Sequence, residues 1–153
     1  MMNKAEKARA LFTQGANCAQ SVAGAFAEEC GLTEEQAMIM SSGFGGGVGR
    51  LREVCGAVSG MVLVLNLLYG SGNPADKAAK DAQYARIREV AAQFRAKAGT
   101  LICRELLGLE KGQEEPPRSD PRNAAYYASR PCAGLVALAA EITEKYIAEH
   151  ERR

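Results

Sequence analysis

The chain of 153 residues is predicted to be all-α, a compact bundle of about six to seven helices around a buried central helix at about residues 53–69. Three observations predict this. Alternating β-branched and aromatic runs are nearly absent, so strand signals are scarce. Ala, Leu, Glu, Lys and Arg, the strong helix formers, fill the periodic segments. Cap residues stand at the segment ends: Asn17 and Thr33 before helical runs, Gly15, Gly31 and Gly108 after them.

Each element follows from those signals. A first helix is expected over roughly Lys4 to Gln14, closed by Gly15. Asn17 opens a second, roughly Cys18 to Cys30, with Val22, Ala25 and Phe26 on one apolar stripe and Gly31 as its stop. Thr33 opens a third through Met40, with Glu34 and Glu35 in the first turn, where negative charge suits the helix dipole. Ser41 to Arg50 reads as a glycine-rich loop, and an apolar helix from about Glu53 to Tyr69 follows it. After the break at Gly70 to Pro74 comes a long polar-faced helix, about Ala75 to Lys97, and then a short one, Leu101 to Leu107, capped by Thr100. Glu110 to Arg130, with Pro116, Pro117, Pro121 and many charges, reads as a Pro- and charge-rich loop, either an ordered surface excursion or a mobile one. The final helix runs from Cys132 to about Glu149. One domain over 1–153 accommodates this plan.

Composition narrows the function. Hydrophobic residues make up 47% and charged residues 24%, enough for a packed core. The net charge of +1 lacks the strongly basic balance of a nucleic-acid binder, so no nucleic-acid partner is expected. Met61 to Leu68 is the most apolar stretch and is far short of the roughly 20 residues that span a bilayer, so no membrane insertion is expected. Met1 to Ala10 has no apolar signal core, and a cytoplasmic location follows as the expectation.

The chemistry lies in five cysteines, Cys18, Cys30, Cys55, Cys103 and Cys132. In a reducing compartment these are free thiols, metal ligands or redox groups more often than structural bridges. No Cys-x-x-Cys pair exists, which removes zinc-knuckle and thioredoxin motifs. Four of the five fall near expected helix starts: Cys18 after Asn17, Cys55 in a first turn, Cys103 shortly after Thr100, and Cys132 after Pro131. A helix N-terminus offers spare N–H donors and partial positive charge, both of which favour a thiolate. Arg52, Arg104 and Arg130 lie close in sequence to three of them. Cys30 stands at an expected helix end, where the dipole works the other way, and is read as structural. The competing reading of each is a small buried hydrophobe.

Gly43, Gly45, Gly46, Gly47 and Gly49 sit between two expected helices. No Gly-Lys-Ser/Thr is present and no strand precedes them, so neither a P-loop nor a Rossmann turn is indicated. The glycines are read either as an anion cradle assisted by Arg50 and Arg52 or as a tight turn that lets backbone approach a neighbour. Gly56 and Gly60 lie on one bare face of the apolar helix, where another helix or a cofactor comes close. Gly56, Gly60 and Arg50 are accordingly the candidate cofactor-binding residues. His150, the one histidine, lies in the C-terminal tail and is not expected to serve as base or ligand. Glu53 beside Cys55 is a first-turn charge or a proton acceptor.

These residues carry a resemblance. Asn17-Cys18-Ala19-Gln20-Ser21-Val22, Ser42 to Arg50, Glu53 to Gly60, Cys103 to Gly108, and Cys132 opening the last helix together resemble the C_GCAxxG_C_C family, small proteins named for their cysteine pattern. The family label writes Gly-Cys-Ala where this chain reads Cys55-Gly56-Ala57. The resemblance implies redox activity or a redox cofactor. Three functions stand beside one another. In the first, two of the four cysteines, for instance Cys55 and a partner, cycle between dithiol and disulfide and exchange electrons with an unidentified redox partner. In the second, Cys18, Cys55, Cys103 and Cys132 bind an iron–sulfur cluster or another metal for electron transfer. In the third, the chain is a non-catalytic helical module whose Pro-rich excursion meets a partner. A homodimer through the first or last helix is a further expectation.

Overall fold

A computed structural model describes residues 2–152 and is all-α. Its helices, in chain order, are α1 (Lys4–Thr13), α2 (Cys18–Ala25), α3 (Glu34–Ser41), α4 (Gly45–Val48), α5 (Gly56–Tyr69), α6 (Lys77–Ala98), α7 (Cys103–Leu106), α8 (Ala124–Ser129) and α9 (Cys132–Glu149). Local chemistry sets the starts. Asn3, Asn17 and Thr33 each accept a hydrogen bond from the third helical N–H, and Glu6, Gln20 and Gln36 reach back to the cap N–H, completing capping boxes. Asn17 and Gln20 do more than cap. Asn17 Nδ2 donates to the Ser42 carbonyl at 3.0 Å and Gln20 Nε2 to the Met38 carbonyl at 3.1 Å, tying the start of α2 to the end of α3.

The core forms where α9 packs against α1, α2, α5 and α6. Phe12, Phe26, Met61, Leu65, Phe94 and Val136 are the large side chains sealed inside it. The one-sided burial of α6 fits its sequence: Val90 and Phe94 are buried and its other face is polar. α5 is less enclosed than its apolar sequence suggests, since Asn66 and Leu67 face solvent. The small-residue face of α5 lies on α2. A Cβ at Gly60 would stand 2.8 Å from the Ala19 carbonyl oxygen and 2.9 Å from Val22 Cβ, so this glycine serves helix contact.

Several expected boundaries shift, each for a physical reason. The central helix begins at Gly56 rather than Glu53. Val48, Arg50 and Arg52 all have positive φ, near 60–66°, and a chain held in the left-handed region does not enter a helix. Cys55 is therefore the N-cap residue of α5. α2 ends at Ala25, and the chain continues through turns to Gly31, with the Cys30 N–H bonded to the Phe26 carbonyl. The glycine-rich segment is more ordered than a loop: a 3₁₀ turn over Ser42–Phe44 runs into α4, where Gly46 and Gly47 take positive φ. Thr100 lies before, not at, the N-cap of α7, whose cap position is Ile102. The Pro-rich excursion contains α8.

Among the described residues the one β feature is an isolated antiparallel bridge between Val54 and Ile102. It matters for position. The Cys55 N–H donates to the Leu101 carbonyl at 2.8 Å and the Cys103 N–H to the Glu53 carbonyl at 2.6 Å, so the bridge fixes two cysteine-bearing helix starts side by side.

Candidate functional site

The starts of four helices converge. Cys18, Cys103 and Cys132 are the first residues of α2, α7 and α9, and Cys55 caps α5. All four line one pocket of about 310 Å³. Cys30 lies outside it, half-buried against the core, and its burial pushes the thiol up to about 11.

The four thiols are not equivalent. Cys18 and Cys132 open α2 and α9, which pack on each other, and the two thiols respond in opposite directions. The Cys18 thiol chiefly lowers Cys132 to about 7, against burial, with help from the charges of Arg130, Arg52 and Arg122. The neighbouring Cys132 and burial raise Cys18 well above an ordinary thiol. The pair thus favours ionisation at Cys132, at the N-terminus of an 18-residue helix, over ionisation at Cys18. Cys55, the thiol offered as an example of a cycling group from the sequence, is instead buried. Burial pushes it up to about 12, while the N–H groups of Ala57 and Val58 pull the other way. Cys103 is raised by burial, with Arg52 opposing.

Arg52 is the hinge of the polar wall. It is 6% exposed. Its Nη1 lies 3.6 Å from Cys103 Sγ, and its Nε and Nη2 hold both oxygens of Glu115. Burial disfavours its charge, but the bonds from Glu115 and Cys103 outweigh that and raise its pKa. Glu115 is held in turn well below the carboxylate range, at about 2, first by Arg52 and also by Arg50. Arg50 pairs with Glu115 at 3.0 Å and Asp120 at 3.5 Å, and donates to the Arg118 carbonyl. Asp120 also takes Arg130 at 2.9 Å.

This network brings the excursion 110–130 onto the pocket. Pro117, Arg118, Ser119, Asp120, Tyr126 and Arg130 line it. The far end of the segment is pinned by Arg122, which donates to the carbonyls of Phe12 at 2.9 Å and Ala16 at 3.1 Å and lies over the rings of Phe12 and Tyr126. The sequence reading took this stretch for a surface excursion and missed Glu115, Asp120 and Tyr126. Its one visible signal was the density of charge in a proline-rich segment facing Arg50 and Arg52.

The glycine-rich turn closes the other side. A Cβ at Gly47 would meet Cys103 Cβ at 2.7 Å, the Glu53 nitrogen at 2.7 Å and Arg52 Cα at 2.8 Å. At Gly56 it would come to 3.0 Å from the Ala19 nitrogen and Cys18 Cβ. Both glycines permit close approach around the thiols. Of the candidate cofactor residues, Gly56 and Arg50 line the pocket and Gly60 does not. His150 stacks on Tyr146 with centroids 3.8 Å apart, outside the pocket. Glu53 is exposed and contributes its backbone to the bridge.

An iron–sulfur cluster or other metal would need these thiols as ligands. The donor set is right in kind, four cysteines on one pocket. The arrangement is not: among the described residues no three Cys, His, Asp or Glu side chains stand together as a metal-holding group.

The fold and site define a helical protein whose cysteines gather at helix starts around one arginine-walled pocket. Residues 16–146 match the family described as "Putative redox-active protein (C_GCAxxG_C_C)", and the chain belongs to that family. No curated protein and no solved structure matches it. Among the described residues no helix is long and apolar enough to cross a membrane.

Proposed function

We propose that the protein is a dithiol–disulfide redox protein in which Cys132 attacks and Cys18 resolves. The carrying observation is that Cys18 and Cys132 open α2 and α9 on one pocket, with Cys132 drawn down to about 7. Near neutral pH such a thiol is substantially thiolate, and attacking thiols are most effective when their pKa lies near the ambient pH. The Cys132 thiolate attacks one sulfur of an oxidising disulfide and forms a mixed disulfide, releasing the first thiolate. Cys18 loses its proton and attacks the Cys132 sulfur. The second thiolate leaves and a Cys18–Cys132 disulfide forms, so the protein loses two electrons and the substrate gains them. Cys55 and Cys103 form the inner wall, with Arg52 positioned on Cys103.

Mild oxidation followed by non-reducing peptide mass mapping tests this. The expected product links the peptides of Cys18 and Cys132. A different pairing, or four unchanged thiols, overturns the assignment. A second reading, a metal or iron–sulfur protein, draws on the four thiols lining one pocket. Stoichiometric iron and acid-labile sulfide in protein purified without oxygen would favour it over the dithiol cycle.

A further inference from the structure

The pocket has walls that the thiol chemistry alone does not need. Arg50, Arg52, Arg118 and Arg130 all line it. The carboxylates that answer them are Glu115, shared by Arg50 and Arg52, and Asp120, shared by Arg50 and Arg130. Four guanidiniums thus face two carboxylates, and positive charge remains in excess even with Cys132 ionised. Two residues show where that excess is unanswered. Arg50 Nε is buried with no hydrogen-bond partner, and Arg118 is exposed at the rim with no ion pair among the described residues. A buried donor without a partner carries a desolvation cost that a ligand acceptor removes. Phe12, Leu106, Leu135 and Tyr126 supply an apolar side to the same space. The volume, about 310 Å³, falls at the small end of ligand pockets.

We infer that the pocket binds a small acidic disulfide, its negative groups on the Arg50–Arg118 side and its sulfurs at Cys132. This rests on the dithiol reading and adds the class of oxidant. The balance is the one given above: the small disulfide takes two electrons and the Cys18 proton and leaves as one acidic thiol and one thiolate, while Cys18 and Cys132 join. Guanidinium forks favour carboxylate or phosphate over a neutral group, and an excess of fixed positive charge at a pocket mouth raises the encounter rate of anions.

The test follows oxidation of the reduced full chain by three probes: 3,3′-dithiodipropionate, neutral hydroxyethyl disulfide and cationic cystamine. Each rate is divided by that of the same probe with a blocked, neutral cysteine peptide. The expected result is a corrected rate at least about tenfold higher for the acidic probe than for the neutral one, lowest for cystamine, and falling with salt. Arg118→Gln should reduce the acidic-to-neutral ratio several-fold, and this rim variant leaves the packed interior intact. Equal corrected rates, or a preference for cystamine, overturn the acidic pocket while the Cys18–Cys132 disulfide still forms, so the dithiol reading stands. Oxidation only by a folded protein's disulfide overturns the inference in favour of a protein substrate. Failure of every disulfide to link Cys18 and Cys132 overturns both.

Discussion

The Cys18 thiol lowers Cys132 and is itself raised by it, where the first residues of α2 and α9 line one pocket. That mutual influence divides two similar residues into an acidic thiol and a reluctant one. Both sit at helix N-termini, so position alone does not separate them. The separation comes from which sulfur receives the proton and from Arg130, Arg52 and Arg122, whose charges favour the Cys132 thiolate.

Alkylation should therefore single out Cys132. Its iodoacetamide rate should rise through a midpoint near pH 7, whereas Cys30 and Cys55, pushed up to about 11 and about 12, stay slow at that pH. Cys18→Ala removes the chief lowering influence, and the midpoint should climb toward the ordinary thiol value. Below the midpoint, each pH unit of that climb cuts the rate about tenfold. Peptide-resolved alkylation across pH 5–9 reads both quantities; an unchanged midpoint in the variant would mean that the arginines, not Cys18, set the acidity.

Glu115 makes acid stability a report on the pocket wall. Arg52 and Arg50 depress its carboxyl from 4.5 to about 2. For a carboxyl depressed on folding, the native state binds fewer protons than the unfolded chain, so its contribution is complete above about pH 4.5 and is lost as pH falls toward 2. Glu115→Gln should remove the slope of stability in that window and release Arg52 from one side. Denaturant melts at pH 6, 4 and 3 test it: wild type should lose more stability across the series than the variant. Parallel curves would assign the acid sensitivity to other carboxylates.

How much of this was legible follows from the range of the forces. The caps at Asn17 and Thr33 are local, three-residue chemistry, and the sequence displayed them directly. The positions of Cys18, Cys55, Cys103 and Cys132 near helix starts were legible for the same reason. The pairing of Cys18 with Cys132 was not, because it depends on α1 and α2 packing against α9 across more than a hundred residues of chain. The role of Glu115 was hidden likewise: its partners Arg50 and Arg52 lie more than sixty residues away, and a lone Glu in a charged segment looks solvated. The start of α5 was misplaced because no propensity rule anticipates three successive non-glycine residues of positive φ at alternate positions, Val48, Arg50 and Arg52.

That strained stretch rests on Gly47. The residue has a φ of 68°, and a side chain there would press on Cys103 and on the backbone of Arg52 and Glu53. Gly47→Ala meets both penalties, and the left-handed conformation alone costs of order 1–3 kcal/mol. A loss of about 2 kcal/mol or more in denaturant melts is expected, together with faster alkylation of Cys103 as the turn lifts away. Gly43→Ala is the control, because a Cβ there meets nothing within 4 Å and its φ is ordinary. Equal melts for the two variants would remove Gly47 from its place as the keystone of the turn.

Cys30 provides the sharpest contrast within the chain. It shares its residue type with the pocket four but sits in the turns after α2, half-buried against the core, with Glu29 beside it and no place on the pocket. Burial chiefly raises it and the neighbouring Glu29 adds to that, outweighing the opposing charges of Arg152 and Lys4. Cys30→Ala should therefore keep the alkylation midpoint of Cys132, lose two titratable thiols per chain on mild oxidation as the parent does, and cost at most about 1 kcal/mol for the missing packing. Cys132→Ala should abolish the paired loss. If Cys30→Ala abolishes it instead, the redox partner lies outside the pocket and the convergence of helix starts serves packing alone.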